Sequence, residues 1–253
     1  MKQKSLSPLL IKIIKACLLL LLILGLFFGI QYITYERGPL PEAVKSLESD
    51  DLVKVIHEPW LTFNPPQTNQ KTGFIFYPGG RINPQGYASL MRMIAEEGYL
   101  VIVPKMPINM AVFNANIADE IIDFYPSIDH WVIGGHSVGG TKAAQYTGTH
   151  REIINGLVIW ASYPANHADL SGFIHPVVSI YGSHDPGVND ESIEERAHLL
   201  PDDTRYVRIE GGDHHQFGSY EIKPENDYAT ISRESQHRQI IQATLEVLGL
   251  IAQ

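Results

Sequence analysis

Cysteine is all but missing from this chain. Cys17 stands alone, which excludes an intrachain disulfide and any multi-cysteine metal site; a domain with no cysteine is also safe in an oxidising compartment. Positive charge is scarce as well. Lys and Arg number 19 against 28 Asp and Glu, a formal net charge of −9. So acidic a chain lacks the basic footprint that a phosphate backbone requires, and nucleic acid is excluded as a partner. There are no repeats and no low-complexity tracts, with one exception near the N-terminus, where charge disappears altogether.

That exception runs from Ala16 to Tyr35 and is uncharged and mostly apolar. Its length, about 20 residues, suffices to cross a bilayer. Lys2, Lys4, Lys12 and Lys15 precede it, and the last two can snorkel to headgroups, extending the apolar run back towards Leu9. Tyr32 and Tyr35 suit an interfacial aromatic belt. The exit, Gly29 to Tyr35, offers no small-x-small cleavage site of the kind a removable signal peptide carries. The expectation is therefore an uncleaved anchor spanning about residues 9–35. Lysines before the span and Glu36-Arg37 after it put the N-terminus in the cytoplasm, with the rest of the chain outside the cell membrane as a single-pass protein. Residues 1–37 read as the anchor, 38–50 as a charged linker opened by Gly38-Pro-Leu-Pro41, and 51–253 as the folded domain.

From Asp51 onward apolar strands alternate with amphipathic helices. Strands are expected at 52–58, 73–77, 99–103, 131–133, 156–160, 177–181 and 205–209, and helices at 88–97, 117–124, 141–149, 191–199 and 232–248. This alternation predicts an α/β fold, with a mostly parallel central sheet and helices on both faces. Trp131-Val-Ile-Gly-Gly-His-Ser-Val-Gly-Gly140 sits in the middle of it. A short β-branched strand, the turn Gly135-His-Ser-Val-Gly139 and a small-residue helix make the strand–turn–helix context in which G-x-S-x-G is a nucleophile elbow. Without that context the motif is an ordinary Gly-rich turn. Ser137 is the candidate nucleophile.

A catalytic serine needs a base, an acid to orient it and donors for an oxyanion. Folds with this elbow run in the order Ser, Asp or Glu, His. Asp185 follows the strand 177–181 in Gly182-Ser-His-Asp-Pro-Gly187. A histidine pair follows the strand 205–209 in Glu210-Gly-Gly-Asp-His-His-Gln-Phe-Gly218. Asp185 alone would read as an Asp-Pro turn, and His214 alone as a solvated loop residue, with His215 an equal alternative; together with Ser137 they make a triad in the required order. Oxyanion donors are expected from the Val138 amide and from Pro78-Gly-Gly-Arg81, where Gly80 is the best-placed amide and Arg81 the next. His184, Asp185, Asp213, His214 and His215 form a rival metal cluster, but no pair has the helical spacing of H-E-x-x-H. No cofactor is required.

Phe76-Tyr-Pro-Gly-Gly80, Gly134 to Gly140, Ser179 to Asp185 and Glu210 to Gly218 together resemble the compact bacterial hydrolases of the "alpha/beta hydrolase fold-5" family, and Ala229 to Glu234 matches the segment before its last helix. The resemblance covers Leu52 to the C-terminus. It implies an alpha/beta-hydrolase fold, ester-type hydrolysis and, from the histidine after Gly-Gly-Asn/Asp, His214 rather than His215 as the catalytic one; some members also carry an N-terminal anchor. The chain departs from the pattern at Asp213, where asparagine is usual, and at Lys223 to Tyr228, which replaces a Gly-Asp-Gly-type loop. The short link from Trp160 to Val177 leaves room for a minimal cap at most, hence a shallow site for a small-molecule or lipid-like ester. Two other readings keep the fold: acyl transfer to an acceptor other than water, and a non-catalytic binding protein.

Overall fold

The computed structural model describes residues 7–66 and 71–252. Lys2 and Lys4 lie outside the described residues, as does the side chain of Tyr32. The chain divides into two compact units, Met1–Tyr35 and Glu36–Gln253. The described residues of the first form one helix, α1 (Pro8–Thr34), whose stretch Lys12–Gln31 has a mean hydropathy of 2.8 and is long and apolar enough to cross a membrane.

Among its described residues the second unit holds eight strands, β1 (Lys54–Ile56), β2 (Leu61–Asn64), β3 (Thr72–Tyr77), β4 (Leu100–Val103), β5 (His130–His136), β6 (Ile154–Trp160), β7 (Val177–Gly182) and β8 (Arg205–Ile209). Their order across the sheet is β1-β2-β4-β3-β5-β6-β7-β8. β1 with β2 and β2 with β4 are antiparallel, and every other pair is parallel. The helices are α2 (Pro41–Lys45), α3 (Ala88–Glu96), α4 (Ile117–Phe124), α5 (Val138–Thr149), α6 (Asp190–Ala197) and α7 (Arg233–Ile251).

The sheet is covered on both faces, and the side-chain period of two sorts its residues between them. Phe74, Phe76, Val132, Val158 and Val178 pack with Leu90 and Ile94 of α3 and with Ile240 and Val247 of α7. Ile75, Tyr77, Ile133, Leu157 and Ile159 face the other way, against Ile121 of α4 and Ala143 and Ala144 of α5. This is the expected alpha/beta-hydrolase architecture. It sets β5 in the interior of the sheet, between β3 and β6, with its carboxyl end at the crevice where open α/β sheets hold ligands.

Two expectations differ from what is found. The first strand is shorter than residues 52–58, and an antiparallel strand, β2, follows it behind the Glu58-Pro59 turn. The stretch expected as a linker, residues 38–50, is packed: Leu40 N–H donates to Ser219 O, Glu221 N–H donates to Gly38 O, and Ala43 of α2 is fully buried. These partners lie in distant loops, and nothing in the local pattern of residues 38–50 announces them.

Candidate active site

Ser137 stands between β5 and α5 at φ 54° and ψ −127°, a region that costs a non-glycine residue about 1–3 kcal/mol. The turn is held from outside. Ser137 N–H donates to the Trp160 carbonyl at the end of β6 (2.9 Å), and Thr141 N–H closes the first turn of α5 onto Ser137 O (3.1 Å). A Cβ at Gly139 would collide with the carbonyl oxygens of Tyr77 and Pro78, so only glycine lets the helix start this close to β3. Ser137 Oγ makes no hydrogen bond to a described residue.

Asp185 and His214 are brought together. The turn after β7 and the loop after β8 approach so closely that a Cβ at Gly182 would stand 2.7 Å from Asp213 N. His214 Nδ1 and Asp185 Oδ2 are 2.6 Å apart. Asp185 is 3% exposed, and its other oxygen accepts the amides of Gly187 (2.8 Å) and Val188 (2.9 Å). A carboxylate held in this way faces Nδ1 as an acceptor, which places the proton of the neutral His214 ring on Nδ1 and the lone pair on Nε2. Asp169, the acid that follows β6 and would serve if the triad drew on the earlier strand, is an exposed surface residue accepting the Ser171 amide.

His136, the x of G-x-S, ties three loops of the candidate site to one another. It is fully buried. Its Nε2 donates to the His214 carbonyl (3.1 Å), an acceptor only, which makes Nδ1 the acceptor from Tyr87 Oη–H (2.8 Å). Tyr87 Oη in turn accepts the Gly79 amide (2.9 Å). Burial, and then the neighbouring His214, hold the His136 pKa well below its ordinary value, so the ring is a neutral fixed brace. Its centroid is 4.8 Å from that of His214.

On the oxyanion side, Arg81 N–H is already given to Asn109 O (2.8 Å), which removes the Arg81 amide from consideration. Gly80 N–H makes no hydrogen bond to a described residue. The Val138 amide is the first of α5 and has no partner within the helix. The two residues adjoin, since a Cβ at Gly80 would lie 3.3 Å from Val138 Cγ1.

His215 is engaged elsewhere. Its Nδ1 accepts from Arg37 (3.1 Å), whose guanidinium also lies 5.9 Å from the Tyr220 ring centroid. Burial first, and then the Arg37 charge, push the His215 pKa down to about 4. The sequence marks Arg37 only as a charge flanking the apolar run; its partner is 178 residues away, and no local signal points to it. Glu36 is a second case, accepting from Asn83 Nδ2 (3.1 Å) and from Asn109 Nδ2.

The two departures from the family pattern prove to be one feature. Asp213 is fully buried and accepts the amides of His215 (3.0 Å) and Gln216 (2.8 Å) on one oxygen and that of Tyr228 (3.1 Å) on the other. An asparagine there would turn an NH₂ group on one of these amides. The carboxylate and the Lys223–Tyr228 loop therefore belong together. Among the described residues no group of three or more His, Cys, Asp or Glu side chains could hold a metal ion.

The sequence profile of the alpha/beta hydrolase family matches residues 73–238. No curated protein matches the chain in sequence. Among solved structures the chain is similar to Est1E from Butyrivibrio proteoclasticus with ferulic acid bound, at 13% identity and a TM-score of 0.56, covering 80% of this chain and 98% of that one. It is similar also to a thermophilic esterase, Est2 from the planctomycete Thermogutta terrifontis, with butyrate bound (14% identity, TM-score 0.57, 79% and 93% covered). The same esterase phosphoramylated by tabun gives 15% identity and a TM-score of 0.57, with 79% and 96% covered. At these identities the likeness is one of fold.

Proposed function

Since the chain belongs to the alpha/beta hydrolase family, we propose that it is a serine hydrolase of carboxylic esters, working through Ser137, His214 and Asp185. The observation that carries this reading is the saturated Asp185 carboxylate on His214 Nδ1. It leaves His214 Nε2 as a base in the loop braced by His136, the residue next to Ser137. The Oγ–Nε2 bond is open here, as catalytic hydrogen bonds often are before substrate enters.

In the first step Ser137 Oγ attacks the ester carbonyl carbon while its proton passes to His214 Nε2. Asp185 stabilises the imidazolium, and the Val138 and Gly80 amides receive the charge developing on the carbonyl oxygen. Collapse of the tetrahedral adduct expels the alcohol, protonated by His214. Water then enters, gives its proton to Nε2 and attacks the acyl-enzyme; as this second adduct collapses His214 returns the proton to Ser137 Oγ and the acid is released. That an esterase of similar fold holds butyrate and is itself phosphoramylated by tabun supports this chemistry.

The reading extends to location: α1 anchors the chain in a bacterial cell membrane, with the catalytic unit extracytoplasmic and the substrate a small acyl or lipid-like ester. Its support is the apolar length of Lys12–Gln31 and the lysines that precede Ala16. The expected result is that full-length protein resists alkaline extraction from membranes, that external protease digests the catalytic unit in intact spheroplasts, and that an ester panel of graded chain length is hydrolysed. Protection from protease would invert the topology, and release by alkali would remove the anchor.

A chain begun at Glu36 should keep its activity on soluble esters, whereas one begun at Asp51 should lose about 10²-fold, the scale of a 1 Å misplacement at a reacting centre. The Asp51 chain lacks the Arg37 bond to His215 and the Glu36 bonds to Asn83 and Asn109. Equal activity of the two chains would show that these contacts do not position the site.

A further inference from the structure

Between β4 and α4 the chain makes two tight turns, Pro107–Asn109 and Ala111–Phe113. Ile108 and Asn109 stand at φ 46° and 52°, strained values for non-glycine residues, β-branched isoleucine above all. The side chains of this loop divide in two. Met110 turns inward, its Sδ 3.0 Å from where a Cβ on Gly80 would be. Ile108, Val112 and Phe113 turn outward, 46%, 43% and 61% exposed. Three large apolar groups on one short surface loop beside the oxyanion turn are a patch of the kind that marks an interaction site. Lys105, also exposed, opens the same loop.

The occupant is indicated by what holds the loop. The Arg81 amide donates to Asn109 O, and the Glu36 carboxylate accepts from Asn109 Nδ2. Glu36 stands two residues after Thr34, where the apolar helix α1 ends. The middle of the loop is thus fastened to the first residue of the folded unit, immediately after the candidate span.

We propose that Pro107–Phe113 is a bilayer-contacting loop. Ile108, Val112 and Phe113 enter the headgroup–acyl boundary of the membrane that holds α1, with Lys105 at headgroup level, and the ester hydrolysed is an acyl lipid of that membrane. The inner side of the same loop, Met110, lies against Gly80, so an acyl chain following the loop inward delivers its carbonyl to the oxyanion donors. Apolar side chains backed by a cation are the composition of segments that lie in the interface. The proposal rests on the reading of the chain as an anchored serine hydrolase.

The test uses the full-length chain in phosphatidylcholine–phosphatidylglycerol vesicles. Phe113→Cys, made with Cys17→Ser, carries an environment-sensitive fluorophore. Its emission should be blue-shifted and quenched by nitroxide lipids labelled high on the acyl chain, and this should persist with Ser137→Ala. Separately, Val112→Ser with Phe113→Ser should lower hydrolysis of a vesicle-borne long-chain ester by about tenfold or more while hydrolysis of a dispersed butyrate ester stays within about twofold, the signature of lost substrate access rather than lost chemistry. Water-like, unquenched emission overturns the proposal, as does equal loss on both esters. Self-quenching that grows with protein density and ignores nitroxide lipid would assign the patch to a second copy of the chain and also overturn it. Failure of the hydrolase reading looks different: Ser137 stays inert and neither ester is cleaved, while the loop is still quenched by lipid and its membrane contact stands.

Discussion

Ser137→Ala is expected to abolish labelling by a fluorophosphonate and to lower kcat for ester hydrolysis by about 10⁴–10⁶-fold, since triad members act as a unit. In free energy this is about 5–8 kcal/mol of transition-state stabilisation. The fold should hardly notice. Ser137 Oγ makes no hydrogen bond to a described residue, and alanine at φ 54° meets the same backbone strain as serine, so unfolding free energy should move by no more than about 0.5 kcal/mol. Activity lost with stability kept separates a nucleophile from a structural residue. Undiminished labelling of the alanine variant would place the reactive group elsewhere, and no labelling of the wild-type chain would favour a binding protein on a hydrolase fold.

His214→Ala should cost at least about 10²–10⁴-fold in kcat as the general base is lost, and approach the loss at Ser137 because the two act as a unit; His215→Ala should cost far less. The two rings are adjacent in sequence and differ in partner: Asp185 for His214, Arg37 for His215. Asp185→Asn should be at the severe end, about 10⁴-fold. The amide oxygen can still accept from Gly187 and Val188, but an NH₂ group would then face His214 Nδ1. That nitrogen would have to accept, the ring proton would move to Nε2, and no lone pair would remain for the Ser137 proton. Kinetics on a soluble ester, with thermal unfolding as control, decide the matter. A larger loss at His215 would reassign the base, and a larger loss for Asp169→Asn than for Asp185→Asn would reassign the acid.

The features legible from residues alone are those whose cause is local. The β5–turn–α5 unit is written within about twenty residues, as a β-branched run, glycines where carbonyl oxygens crowd in, and small helix formers. The apolar run of α1 is legible for the same reason, as composition over a single stretch. Asp185 and the pair His214–His215 could be named because each follows a strand in a turn-rich loop, with chain order as the filter; within the pair the residues themselves left the choice open.

The short antiparallel β2 was not legible. Leu61–Asn64 is bracketed by prolines, and its strand character comes from pairing with β1 and β4. Residues 38–50 look like a linker because they lack apolar periodicity; their structure is lent by Ser219 and Glu221. Arg37, Glu36, His136 and Tyr87 escaped for one physical reason. Apart from the Gly79 amide that Tyr87 accepts, their hydrogen-bond partners lie between 47 and 178 residues away, and a polar side chain in isolation carries no record of which distant loop will satisfy it. The sequence determined the sheet, the elbow and the order of the candidate triad. Tertiary packing alone decided which histidine meets Asp185, which amides near Ser137 remain free, and that the residues just after the apolar helix are built into the rim of the site.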